Sequence, residues 1–163
     1  MDGAADSRGV RGNRRALVRM SEAEIRTYLQ AHTGEIVMST MHPDGSIHSV
    51  AMYYGFVDDR IGVLTKRKSQ KAQNVVRDRR MTVLVATGTS YEELRGVEIV
   101  GAAAATTDPG VLLALANSIR KRRGEPVDDE TLAATIHNRV AILLDPVRVV
   151  SWDHSKLPGM GGR

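Results

Sequence analysis

The chain has 163 residues, 42% hydrophobic and 26% charged, with no cysteine and a formal net charge of +4. That length suits one domain with a real core, and the lack of cysteine excludes a disulfide scaffold, a thiolate metal site and a cysteine nucleophile. No apolar run reaches the roughly 20 residues of a membrane span, and residues 1–20 hold no apolar signal-peptide core, so the expected location is the cytoplasm. A positive balance favours anionic partners, whether nucleic acid, acidic lipid or phosphorylated small molecules. One phenylalanine, one tryptophan and four tyrosines leave few rings for base stacking, which speaks against single-stranded nucleic acid.

Residues 1–20, with Arg8, Arg11, Arg14, Arg15 and Arg19, show no periodicity and read as a disordered basic arm. The folded domain is expected over residues 21–157, with a flexible tail at 158–163. Ser21 and Glu24 have capping-box spacing, and Ile25, Tyr28 and Leu29 recur at helical intervals, predicting a helix that stops near Gly34. Glu35–Met41 and Ile47–Val57 flank the turn sequence His42-Pro43-Asp44-Gly45 and read as a hairpin; a turn at Asp58-Asp59 leads to a strand over Arg60–Thr65. Ser69 then caps a short helix to Arg77 whose buried stripe is expected to be Ala72, Val75 and Val76. Strands follow at Met81–Thr87 and Leu94–Ala105, the alanine run of the latter implying close packing. Asp108-Pro109 opens a helix to Gly124, another starts at Asp128 and ends near Asn138, and Arg139–Trp152 is the last strand. About six strands joined mostly by short turns predict a mainly β fold with peripheral helices, an antiparallel barrel or sheet rather than a doubly wound one.

The stretch Leu64-Thr65-Lys66-Arg67-Lys68-Ser69-Gln70-Lys71-Ala72-Gln73-Asn74 carries the most chemistry. A helix N-terminus bears partial positive charge, so each cation there is unfavourable by about 0.3–1 kcal/mol. A bound phosphate would reverse that sign, because free backbone N–H groups, the Ser69 hydroxyl and the cations can all converge on one anion. Spacing alone leaves a solvated basic turn as the even alternative.

Three segments carry a resemblance: Asp44-Gly45-Ser46-Ile47-His48-Ser49-Val50-Ala51-Met52-Tyr53-Tyr54, the series Thr65, Arg67, Ser69, Lys71 and Asn74 within the basic run, and the ending Val150-Ser151-Trp152-Asp153-His154-Ser155-Lys156-Leu157. Together they resemble the pyridoxamine-phosphate-oxidase-like split β-barrels, especially the actinobacterial flavin and deazaflavin oxidoreductases, from about Ser21 to Leu157. That family's hairpin typically reads Asp-Gly-x-x-His-x-x-Pro-Met-Trp-Tyr; here Ala51 replaces its proline and Tyr53 its tryptophan. The resemblance implies a homodimer with cofactor sites at the interface, the ring against Met52 and Tyr53 and the phosphate against the basic run. Thr65, Arg67, Ser69, Lys71 and Asn74 are the implied cofactor residues, Lys71 first for the phosphate with Arg67 as its partner. Lys66 and Lys68 alternate with Arg67 along extended backbone and are expected to point outward, where an acidic cofactor tail could meet them. The implied cofactor is the deazaflavin coenzyme F-420, with FMN as the rival, and the implied activity is hydride transfer to an unsaturated or conjugated small molecule. A non-catalytic cofactor carrier or haem binder is the alternative of a different class. The segment Asp108–Asn138 is an insertion relative to plainer members.

Such chemistry needs no catalytic triad, since the cofactor carries the hydride. Tyr53 and Tyr54 alternate, so one can face a ring while the other packs. The histidines at 32, 42, 48, 137 and 154 lack metal-binding spacing, and His48 reads as an ordinary strand residue. Trp152 is expected to cover a barrel end, and Arg120–Arg123 suits a helix C-terminus.

Overall fold

A computed structural model of the chain describes residues 14–158. Arg8 and Arg11 of the expected arm, and the tail from Gly159, lie outside the described residues. Within the arm, residues 14–18 are helical and Met20 is buried at 2% exposure. The elements in order are α1 (Glu22–Ala31), β1 (Ile36–Met41), β2 (Ile47–Met52), β3 (Gly55–Val57), β4 (Arg60–Lys66), α2 (Gln70–Arg77), β5 (Arg80–Thr87), β6 (Arg95–Thr106), α3 (Pro109–Arg122), α4 (Asp129–Ile136) and β7 (Arg139–Asp153), with short 3-10 turns at Tyr91–Glu93 and His154–Lys156. The strands form a seven-stranded sheet in the order β2-β1-β5-β6-β7-β4-β3. The pairings β1–β2, β1–β5, β3–β4 and β4–β7 are all antiparallel. Among the described residues no helix is long and apolar enough to cross a membrane.

The chain falls into two compact units. One comprises, of the described residues, those up to His32, Val85–Glu98 and those from Val150 on. Its helix α1 starts where the sequence places it: Ser21 accepts from the Glu24 backbone and the Glu24 side chain accepts from Ser21, the full capping box. Tyr28 is buried, and its hydroxyl lies 3.0 Å from Thr87 Oγ1 and donates to the Arg95 carbonyl at 3.1 Å. Arg95 stacks over the Tyr28 ring and pairs with the buried Asp153 at 3.1 Å. Trp152 lies against Gly96, where a Cβ would come within 2.2 Å of the indole, so glycine is required by close approach. Lys156 closes this unit on Glu24 at 2.7 Å.

The other unit spans Thr33–Leu84 and Ile99–Val149. Its core gathers Leu64, Leu112, Leu115, Ala116, Ile119, Ala141 and Leu143, with Leu132 and Ile136 of α4 packed against it. Each leucine or isoleucine of this core taken from water contributes about 1.5–3 kcal/mol before the entropy of ordering it. The α3 helix begins as predicted, with Asp108 accepting from the Val111 N–H and Pro109 in the first turn.

Two expectations need correction. The strand foreseen over Ile47–Val57 breaks at Tyr53-Tyr54, so seven strands form rather than about six. Its first half pairs with β1 and its second with β4, at opposite ends of the strand order. The break is placed by α3: the Phe56 N–H donates to Ser118 Oγ at 2.8 Å, and a Cβ on Gly55 would press within 3.0 Å of the same serine. The second correction concerns α2, where Val76 is 77% exposed and Asn74 is fully buried in its stead. Asn74 Nδ2 donates to Thr40 Oγ1 of β1 at 3.1 Å, and this bond sets the rotation of the short helix. Residue 76, two positions on, then turns about 200° away. The β3–β4 turn is the one foreseen, with Asp58 and Asp59 both at positive φ, 49° and 62°, as a two-residue hairpin loop requires.

Candidate functional site

The β4 strand ends in the basic run, and α2 starts directly after it. Ser69 is the N-cap, accepting from the Ala72 N–H, and its hydroxyl lies 3.0 Å from that of the buried Thr65. The first turn of α2 holds no acidic residue. Elsewhere Arg60, Arg79, Arg80, Arg95, Arg120, Arg123 and Lys156 each have a carboxylate within 4.0 Å. Lys66, Arg67, Lys68, Lys71, Arg77 and Arg139 form no ion pair among the described residues. Six cations without an ion pair among the described residues are therefore gathered around one helix, while Arg26, Lys121 and Arg148 stand singly elsewhere.

Lys71 and Arg139 are the half-buried members of this group. Burial first, and the neighbouring Arg139 second, hold the Lys71 pKa below the ordinary lysine value. His48 of β2 is likewise held below the usual histidine value, by burial first and then by His42 and Lys71. The two imidazoles meet edge to face at 5.1 Å between centroids. Lys71 and Arg139, with His48 beside them, thus form a neighbourhood that already repels further cations, and an anion placed there would be favoured by the lysine and the arginine.

The register explains which β2 residues share that neighbourhood. His48, Val50 and Met52 stand opposite Thr40, Met38 and Ile36, all buried, so the three form one half-buried row. This row lies on an edge strand, on the face of β1 that also receives Asn74 through Thr40. The opposite face of the hairpin carries Val37, Ser39, Met41, Ile47, Ser49 and Ala51 and no charged residue, with Ile47 at 69% exposure and Val37 at 42%.

The structure sorts the sequence candidates. Thr65, Ser69 and Lys71 come together at the start of α2, and Lys66 and Lys68 are exposed beside it. The Arg67 backbone N–H donates to the Asn138 carbonyl and its Nε to the Arg139 carbonyl at 3.3 Å. Asn74 is taken up by the fold: besides Thr40 it accepts from Gln70 Nε2 at 2.9 Å and from Arg77 at 3.2 Å. Met52 ends the half-buried row. Tyr53 lies outside it, 39% exposed, with the Arg123 guanidinium 3.8 Å above its ring. Tyr54 is the packed member of the pair, 2% exposed and stacked by Arg122. Sequence reasoning passed over His48 as a site residue and missed Val50 and Arg139. Stepping by two from Met52 along the strand would have found the first two; Arg139 is brought in by the β4–β7 register, in which it faces Lys66.

The pyridoxamine 5'-phosphate oxidase family matches residues 21–153, and the chain belongs to that family. Its fold is the antiparallel split β-barrel. The conserved hypothetical protein Rv2991 of Mycobacterium tuberculosis superposes with a TM-score of 0.84 at 36% identity, over 91% of this chain and 96% of that one. An F420 reductase shares the fold at a TM-score of 0.59 and 20% identity, over 80% and 95% of the two chains. The haem storage protein HutZ of Vibrio cholerae does so at 0.64 and 12%, over 80% and 94%. No curated protein matches the chain.

Proposed function

We propose that the chain binds a phosphate-bearing flavin-type cofactor, the deazaflavin F-420 in the first place and FMN in the second, and uses it to reduce an unsaturated or conjugated small molecule. The observation that carries this reading is the collection of unmatched cations around the start of α2, beside a half-buried row of β2 side chains. Lys71 and the Ser69 end of the helix would hold the phosphate; His48 would lend a neutral N–H beside them, and Val50 and Met52 an apolar wall for a ring. Exposed Lys66 and Lys68 suit a cofactor with an acidic tail, which favours the deazaflavin over FMN, and the F420 reductase of the same fold supports the same choice. When bound, such a cofactor supplies the hydride chemistry; this chain's residues bind, orient and exclude water.

The second part of the proposal is a homodimer. The uncharged face of the β1–β2 hairpin, with Val37, Ile47 and Ala51 exposed, fits a second copy better than water. A partner seated there would stand beside the edge strand β2 and close the site. A haem carrier of the same fold is the competing reading, and one titration separates them. Purified protein is mixed with F-420, FMN or haem and followed by fluorescence or absorbance. F-420 is expected to bind most tightly; no binding of any of the three below about 100 µM, or about 5.5 kcal/mol, would overturn the proposal. Reduction of a panel of enones and quinones then separates turnover from carriage.

A further inference from the structure

Beside α2 lies an open groove of about 470 Å³ whose lining includes Arg67, Ala72, Val76, Arg77, Ala105 and Val140, together with Gln73 and the Thr106-Thr107 turn. Lys71, His48, Val50 and Met52 are not among its lining residues, so this groove differs from the half-buried row described above. Its size is that of a small-molecule site. The floor is apolar and Val76, the large side chain that the helix turns outward, stands in it at 77% exposure. The only charged residues lining it are Arg67 and Arg77, and no carboxylate lies among them.

The Arg67 guanidinium is anchored through Nε and open along its terminal edge, whereas Arg77 is held through the terminal nitrogen that its two edges share. Arg67 uses Nε on the Arg139 carbonyl, leaving both terminal nitrogens without a partner among the described residues. Arg77 uses a single terminal nitrogen, on the Met41 carbonyl and on Asn74 Oδ1, leaving Nε and the other terminal nitrogen. Oxygen acceptors fix the position of a guanidinium without cancelling its charge, so Arg67 is held ready for a bidentate anion, and Arg77 adds its charge and a single N–H beside it. We propose that this groove is a second binding site, for a small carboxylate with an apolar body: the body covers Val76, Ala72, Ala105 and Val140, and the carboxylate is taken by the open arginine edge.

The test is amide NMR titration of the full chain with decanoate, with decan-1-ol as the neutral control of equal length. Decanoate is expected to shift the amides of Gln73, Val76, Thr106 and Thr107 saturably, and to bind about tenfold or more tightly than the alcohol. Val76→Glu, at a position already in solvent, places a like charge in the groove and should weaken decanoate about tenfold; Arg77→Gln should do the same. Equal affinity for acid and alcohol, shifts confined to other residues, or undiminished binding by Val76→Glu would overturn the assignment. Cofactor titration of Val76→Glu keeps the two sites apart, since its affinity for F-420 or FMN should equal that of the unaltered chain. Loss of decanoate binding with cofactor binding intact counts for this site; loss of both together counts against its independence.

Discussion

Replacing Lys71 by methionine tests the phosphate assignment most directly, because it should act with opposite sign on the free and the bound protein. Methionine keeps most of the apolar stem, so packing is nearly conserved and charge is what changes. In the free protein Lys71 has no acidic partner among the described residues, and both burial and Arg139 disfavour its charged form. Removing the charge relieves repulsion within the Lys71, His48 and Arg139 neighbourhood, so the free variant should be at least as stable as the parent. In the complex the same change deletes a charge-assisted contact worth about 1.5–3 kcal/mol, or about 10- to 150-fold in Kd. Urea denaturation gives the first quantity and cofactor fluorescence the second, at one fixed ionic strength because exposed Lys66, Arg67 and Lys68 add a screened component. A variant that loses about 1 kcal/mol or more of stability while keeping its cofactor affinity would refute the reasoning and make Lys71 structural.

Asn74→Ala should behave in the reverse manner: it strips Thr40 and Gln70 of a buried partner and should cost about 1–3 kcal/mol in denaturation, while any loss of cofactor affinity follows stability and not contact. Glu24 predicts an acid limb. Its pKa is lowered from 4.5 to about 2, chiefly by the hydrogen bond from Lys156, so its stabilising contribution is complete above about pH 4.5 and disappears as pH falls toward 2. Carboxyl NMR should follow that titration, and Lys156→Met should return it toward 4.5; an unchanged midpoint would remove the pairing as its cause. Finally, Val37→Lys combined with Ile47→Lys should yield a monomer in sedimentation with the fold intact by circular dichroism, since both positions are already exposed. A dimer that persists would place the interface elsewhere.

Local signals determined a great deal. The α1 capping box, the Asp108-Pro109 start of α3, the Ser69 cap and the paired aspartates of the β3–β4 turn are all short-range chemistry, and each stands where the residues put it. The basic run was legible as well, since cations before a helix conflict with the helix's own dipole. Tertiary structure decided the rest. A β-rich run at 47–57 does not say that α3 will press Ser118 against Gly55 and divide the strand. A helical stripe does not say whether Val75 and Val76 are both buried when one carboxamide, Asn74 on Thr40, can fix the rotation of eight residues. Most of all, charge on its own does not separate a gripping lysine from a solvated one. That distinction needed the distribution of carboxylates across the fold and the β1–β2 and β4–β7 registers, which bring His48 and Arg139 to Lys71 from positions 23 residues earlier and 68 later.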